Sequence, residues 1–399
     1  MIKNLTLLAI LLFLTETAVA QSKLPVIKAT KKSVAIRDGD VFTTNAWSLS
    51  PEAKPDVFTA TRTQKTKKVT FYTDLDSITV KLKPNSKYDF IILLNDKDSC
   101  FTQIRSAFQE TDSERKDRLK YPNKADTIPF RLTAYNNISI KAVINQVDTL
   151  NLMFHAAVDD VSITKETLTR TKSLKMDKKG EIRSWGGVSS TVSSEFNSVQ
   201  IGNLKWDNLE ITATTNVGQE TDGKFGHNFF QNKILEINYD DSHLVVLNRL
   251  PKSLKGFSKL PIVFKGGSFF IEGLVKLGEN TYKNQFMYHT GYAGNLILGT
   301  RFIEKNALHG KLDTLEQTSL KDSYGNVLKN IKTNIATLTL GNTNFTNISG
   351  SVMDAKAKMS DSIFGNDLLK RFNVFIDFQK DFIYLKPNKL LNSPHKKGV

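Results

Sequence analysis

IGNLKWDNLEITATTNVGQETDGKFGHNFFQNKILEINYDDSHLVVL, residues 201–247, holds three blocks that return further along the chain in one register. IGNLKWDNL at 201–209 pairs with LGNTNFTNI at 340–348, FGHNFF at 225–230 with FGNDLL at 364–369, and INYDDSHLVVL at 237–247 with IDFQKDFIYLK at 376–386, each displaced by 139 residues. Upstream, LMFHAAVDDVSIT at 152–164 pairs with FMYHTGYAGNLIL at 286–298, displaced by 134. Solenoid repeats run to about 20–50 residues, so units of this length are read as two lobes of one fold. Both copies are strand-rich, with short runs of alternating apolar and polar residues broken by turn formers. Each begins with an apolar strand ending in a histidine, His155 in the first copy and His289 in the second.

An apolar strand running into a small-residue turn, then hairpins, then Phe-Gly with a short helical segment before a closing strand: this plan resembles the pepsin and retropepsin superfamily of aspartic peptidases. The resemblance is to the bilobed secreted bacterial form and covers about Thr127 to Lys386. In that family each lobe offers a hydrophobic-hydrophobic-Asp-Thr-Gly turn, with a later hydrophobic-Gly block packed behind it. The second copy keeps Thr290-Gly291 of the turn, and the late blocks are Phe225-Gly226 and Phe364-Gly365. His155 and His289 stand where the catalytic aspartates are required, and Ala156 and Ala157 replace the threonine and glycine of the first turn.

The resemblance thus implies a dyad position built from two imidazoles. Two close carboxylates share one proton, so one accepts a proton from water while the other donates to the substrate carbonyl. Imidazole and imidazolium act as base and acid near pH 6.5. Their ring nitrogens lie further from the backbone, however, and displacing the bound water by about an ångström costs ~100-fold or more. Ala156 also lacks the hydroxyl that the family uses to brace its dyad. The expectation is a catalytically degenerate protein whose inter-lobe cleft still binds a peptide or other polymer. Two alternatives stay open: a hydrolase using His155 and His289 directly, with or without a metal, and a scaffold whose N-terminal module docks a partner.

Within the first copy, SWGGVSSTVSSEFNS at 184–198 lies where the family carries a flap over the cleft, so Trp185, Gly186 and Gly187 are the candidate substrate-binding tip, or else an ordinary exposed hairpin. Zinc needs three or four protein ligands. Asp159 and Asp160 read as loop-solvating or strand-capping residues, and His227, His243 and His309 have no matching spacing, so no metal and no cofactor are assigned. The lysine-rich run at 165–183 reads as a solvated face. Asp96-Lys97-Asp98-Ser99 lacks the glycine and distal glutamate of an EF-hand and reads as a β-turn.

Composition sets outer limits. With 399 residues, 40% hydrophobic and 24% charged, the chain is an ordinary folded protein of more than one domain. Its net charge of +15 favours anionic surfaces without naming a partner. One cysteine, Cys100, excludes an internal disulfide framework, a four-cysteine zinc site and an iron–sulfur cluster. Lys3, the apolar run Leu5 to Leu14 and Ala18-Val19-Ala20 read as a signal peptide cleaved after Ala20, which implies a secreted or periplasmic protein without a transmembrane anchor. That export signal and the absence of a recognised motif argue against nucleic acid.

The expected fold is all-β: an N-terminal β-sandwich-like module followed by a two-lobed pepsin-like acid-protease β-barrel fold. The expected map is signal peptide 1–20, N-terminal β module 21–106, linker 107–126, lobe one 127–250, lobe two 251–390 and C-terminal tail 391–399. Oligomeric state is not legible.

Overall fold

The computed structural model describes residues 24–62, 66–84, 86–106, 112–184, 187–265, 267–312, 314–353 and 360–395. The signal-peptide reading at 1–20 therefore lies outside the described residues. Strands make up 56% of the structure and helices 7%, which makes it all-β. Among the described residues no helix is long and apolar enough to cross a membrane.

Alternation at the N-terminal end produces two four-stranded sheets. One orders Val26–Ala29, Lys87–Leu94, Asp98–Ser106 and Asp56–Ala60; the other orders Val41–Ser48, Ser33–Asp38, Lys67–Tyr72 and Ser77–Leu82. Every second residue of Lys87–Leu94 points inward, so Phe90, Ile92 and Leu94 are buried while their neighbours are not. Phe71 from the second sheet meets Phe90 from the first edge to face at 5.4 Å, closing a core of its own that also contains Cys100. Asp96 falls in the hairpin turn before Asp98–Ser106, with a left-handed φ of 54°.

The duplicated region builds two eight-stranded sheets. The first is made of Arg131–Leu132, Ile138–Ile144, Asp148–Phe154, Val161–Thr164, Lys178–Ser184, Gly187–Ile201, Leu204–Thr214 and Gly223–Phe225. The second is made of Val263–Lys265, Ser268–Leu277, Asn280–Tyr288, Leu296–Leu298, Glu316–Lys321, Val327–Leu340, Thr343–Met353 and Ser362–Phe364. Counting strands along the chain within each sheet, the spatial order is 1-2-3-8-4-7-6-5 in both. An additional pairing of the second strand with the sixth, Ile144 with Val199 and Val275 with Leu338, curls each sheet back on itself. Gly202 and Gly341 occupy the same place in the two long hairpins, with φ of 57° and 59°. A positive φ at the first central residue of a two-residue turn is what glycine permits there.

The structure corrects the expectation of a single closing strand per copy. Each copy ends in a hairpin, Ile234–Asn238 with His243–Leu247 and Phe372–Asp377 with Phe382–Pro387. The two hairpins do not close their own lobes; they join edge to edge, Ile234 to Asp377 through Ile237 to Val374. Pairing satisfies backbone groups that would otherwise form two open edges. Ser258–Pro261 and Ala125–Pro129 complete a six-stranded sheet shared by both copies. The segment 107–126 contains a helix, Asp112–Lys120, and the start of the strand Ala125–Pro129. Near the C-terminus, buried Arg371 donates to the carbonyls of Leu391 and Ser393, each at 2.7 Å, fixing that stretch against the body. Arg62 of the N-terminal module reaches the same body, pairing with Asp381 at 2.9 Å and donating to the Phe378 carbonyl.

Gly226 and Gly365 sit where a β-carbon would run into backbone: the Val158 carbonyl in the first lobe and the Gly294 carbonyl in the second. Gly226→Ala is expected to cost at least about 2–3 kcal/mol, since the obstruction is main chain and cannot rotate away. Gly180→Ala, with open space around it, is expected to stay within about 0.5 kcal/mol. Thermal unfolding of the two variants compares them.

Candidate functional site

Each histidine is placed by a parallel strand pair. Asp148–Phe154 runs parallel to Gly223–Phe225, and the chain leaves it with the His155 amide donating to the Phe225 carbonyl at 2.9 Å. Asn280–Tyr288 runs parallel to Ser362–Phe364, and the His289 amide donates to the Phe364 carbonyl at 3.0 Å. The turns then match bond for bond: Val158 to His155 and Tyr292 to His289, followed by His227 to Val158 and Asn366 to Tyr292. Because Gly226 and Gly365 carry no side chain, each late block packs directly behind its turn.

These turns bring His155 and His289 into contact, ring centroids 4.5 Å apart and planes inclined at 62°. His155 is 7% exposed, and its Nδ1 has no hydrogen-bond partner. His289 Nδ1 accepts from the Gly291 amide at 3.2 Å, which assigns its ring proton to Nε2. Gly291 also leaves room for the opposite ring, since a β-carbon there would collide with His155 Nε2. Burial, then His289, then Lys224 hold the His155 imidazole well below its ordinary value. Burial, with Lys224 adding, brings His289 down to about 4. Both rings are thus neutral at pH 7.

Thr290 ties the two turns together. Its buried Oγ1 accepts from the Ala156 amide and donates to the Phe154 carbonyl, both at 2.8 Å, so a side chain of one lobe satisfies two main-chain groups of the other. Ala156, at the corresponding position, has no hydroxyl to return the bridge. Asn366 Nδ2 supports the turn from behind by donating to the Thr290 carbonyl at 2.9 Å.

The pair opens into a cavity of about 770 Å³ between the lobes. Gly187 is the first residue of its strand, paired with Ser184, while Trp185 and Gly186 lie outside the described residues. Asp159 and Asp160 line the cavity. Asp159 keeps an exposed surface, and partial desolvation, with Asp160 beside it, lifts its carboxyl to about 6. His227 is buried instead among Phe264, Phe269 and Phe378, and burial lowers it to about 4. Among the described residues no group of three His, Cys, Asp or Glu is arranged to hold a metal.

One residue of the cavity escaped the sequence reading. Lys224, in the strand Gly223–Phe225, is buried beside the histidines and donates to Ser323 Oγ at 2.8 Å. The signal was present in the duplication: the residue 139 positions on is Ile363, so one copy carries an ammonium where the other carries an alkyl chain. Register explains the consequence. Met153, Lys224 and Ser162 share one face in the first lobe, as Met287, Ile363 and Ile297 do in the second. The second-lobe face packs with Leu328 and Met353 into a small apolar cluster, whereas the first is polar.

No family model matches the chain, and no curated protein matches it. Among solved structures it is similar to an aspartic proteinase from Irpex lacteus, at 12% identity and a TM-score of 0.46, covering 68% of this chain and 100% of that one.

Replacing Thr290 by Val removes the bridge and strands the Ala156 amide and Phe154 carbonyl. A loss of about 2–4 kcal/mol is expected, with Thr290→Ser retaining most of the stability in urea titrations. A second outcome concerns pH. With both folded imidazoles depressed, the unfolded chain binds more protons, so the pair's contribution is complete above ~6.5 and is lost as pH falls toward about 4. Asp159, raised to about 6, works in the opposite direction over the same window. Comparing wild type with His155→Gln/His289→Gln cancels Asp159 and His227, and wild type is expected to lose at least roughly 3 kcal/mol, the share of His289 alone, relative to the double variant between pH 7 and pH 4.

Proposed function

We propose that this is an exported, aspartic-peptidase-like protein that has lost ordinary peptidase activity and binds a peptide in the cleft between its lobes. The observation that supports this most directly is the contact between two neutral imidazoles at the paired turns. A carboxylate dyad works because one proton is shared between two groups of equal affinity, leaving one base and one acid. Two neutral rings at pH 7 provide no imidazolium to act as the acid, and a ring with a value of about 4 is a weak base. The rings also fill the space between the turns, and Gly291 is pressed against His155. What remains is a partly open cavity between the lobes with polar and apolar walls, which suits binding. Export rests on the leader, Lys3 to Ala20.

Lobe boundaries near 127, 250 and 390, with a separate N-terminal module ending near 106, belong to this reading, and the division of sheets supports them. The flap role of Trp185, Gly186 and Gly187 is likewise part of the proposal, supported by the pairing of Lys178–Ser184 with the strand that starts at Gly187.

Incubation with unfolded casein from pH 4 to 8, with and without chelator, is expected to yield no cleavage. His155→Asp/His289→Asp is expected to give weak acid-pH proteolysis at best, since Ala156 and Ala157 remain. Robust cleavage by the unaltered protein, abolished by changing either histidine, would overturn this reading in favour of a His-based hydrolase.

A further inference from the structure

We infer that Lys224 and the main-chain amides of Thr215 and Asn216 form a binding site for an extended, carboxylate-bearing peptide segment, and that the chain's own hairpin tip, Asp322-Ser323-Tyr324, now occupies it. This rests on the peptide-binding reading above and specifies its ligand.

The first observation is an under-satisfied cation. Lys224 is 5% exposed and its ammonium carries three donors, yet among the described residues its one hydrogen bond is to the Ser323 hydroxyl. Among the described residues no carboxylate oxygen lies within 4.0 Å of it. Asp160 and Asp322 act on it only at longer range. Burying an ammonium costs several kcal/mol unless it is closely paired, and a hydroxyl is a poor substitute for a carboxylate.

The second observation is how the tip is held. The Ser323 carbonyl accepts from the Thr215 and Asn216 amides, both at 2.9 Å, and from Thr214 Oγ1 at 2.5 Å. These are main-chain donors waiting for a carbonyl, the means by which an extended peptide is read without regard to side chain. The occupant comes from the other lobe, at the end of the hairpin formed by Glu316–Lys321 and Val327–Leu340. Within that turn the Asp322 carboxylate accepts from the Tyr324 and Asn326 amides at 2.9 Å each and from Asn326 Nδ2 at 2.8 Å. The turn therefore has internal support when it leaves the first lobe. Further anchors are the Tyr324 side chain, hydrogen-bonded to Thr214, and Asn326 Nδ2, which donates to Ser189 Oγ at 3.4 Å.

Charge favours exchange. A departing tip removes Asp322 from the neighbourhood of Lys224, so a ligand carboxylate replaces a negative charge instead of adding one. The histidines, neutral at pH 7, add no negative charge where an ionised dyad would repel the incoming anion, so the opposing charges left in the cavity are Asp159 and Asp160. A ligand carboxylate also engages the ammonium donors that Ser323 leaves idle.

The test uses the full exported chain and two fluorescent peptides, acetyl-Ala-Asp-Ser-Tyr-Gly-amide and its Asn counterpart, followed by anisotropy at pH 7. The Asp peptide is expected to bind at least about tenfold more tightly, and Lys224→Met to erase the difference while keeping the wild-type circular dichroism. Ser189→Cys/Asn326→Cys, oxidised, is expected to hold the tip down and block the Asp peptide, with reduction restoring it; Cys100 is buried in the N-terminal module and stays apart. Equal affinity of wild type for the two peptides, or a preference that survives Lys224→Met, overturns the lysine site. Unchanged binding in the oxidised pair overturns displacement, and it decides the matter should Lys224→Met fail to fold. Failure of both peptides to bind wild type and the loosened variant Ser323→Gly overturns the peptide-binding reading itself.

Discussion

A single hydroxyl, Thr290 Oγ1, holds the two turns of the cleft in register. It bridges an amide and a carbonyl of the opposite lobe, 134 and 136 residues away in sequence, and it does so where solvent is absent. Leaving either main-chain group unpaired there costs far more than an exposed hydrogen bond would gain. The His155–His289 contact, the room that Gly291 leaves for a ring and the cavity beside them all depend on the two turns meeting at this distance. The bridge is one-sided because Ala156 offers only its backbone. The six-stranded sheet supplies the remaining connection between the copies by joining their terminal hairpins.

The electrostatics of the cleft follow from what burial does to each group. Two imidazoles in contact lose their protons, so the pair contributes no charge at neutral pH. Lys224 is a buried cation whose charge acts on both, and Asp159 and Asp160 line the same cavity. Near-identical topology has thus been given unequal chemistry: an ammonium on the floor of one lobe and an apolar cluster under the hairpin of the other. A pocket with one polar and one apolar wall orients what it binds.

The hairpin of the second lobe gives this asymmetry a structural consequence. Its tip crosses to Thr214, Thr215, Asn216 and Lys224, so the cleft is bridged by main-chain and side-chain hydrogen bonds in addition to the sheet behind it. Elements held by a few bonds at one end open more readily than sheet cores.

The sequence by itself determined the all-β character and the duplication, because alternation of apolar residues and glycines at fixed spacing impose strand pairing and turn geometry locally. It also exposed the equivalent positions of His155 and His289, the survival of Thr290-Gly291 in one copy and the loss of that pattern at Ala156-Ala157. The closing segments read as single strands although turn formers such as Asp240-Asp241-Ser242 divide them, and the pairing of one hairpin with the other, far apart in the chain, leaves no local mark. Lys224 was visible only as a mismatch with Ile363. That its ammonium is buried against Ser323, that the imidazoles touch, and that Asp159 and not His227 shares their cavity were decided by the tertiary structure. Burial, distance and desolvation belong to pairs of groups far apart in the chain, and a linear pattern carries which residues alternate, not which of them lose their water together.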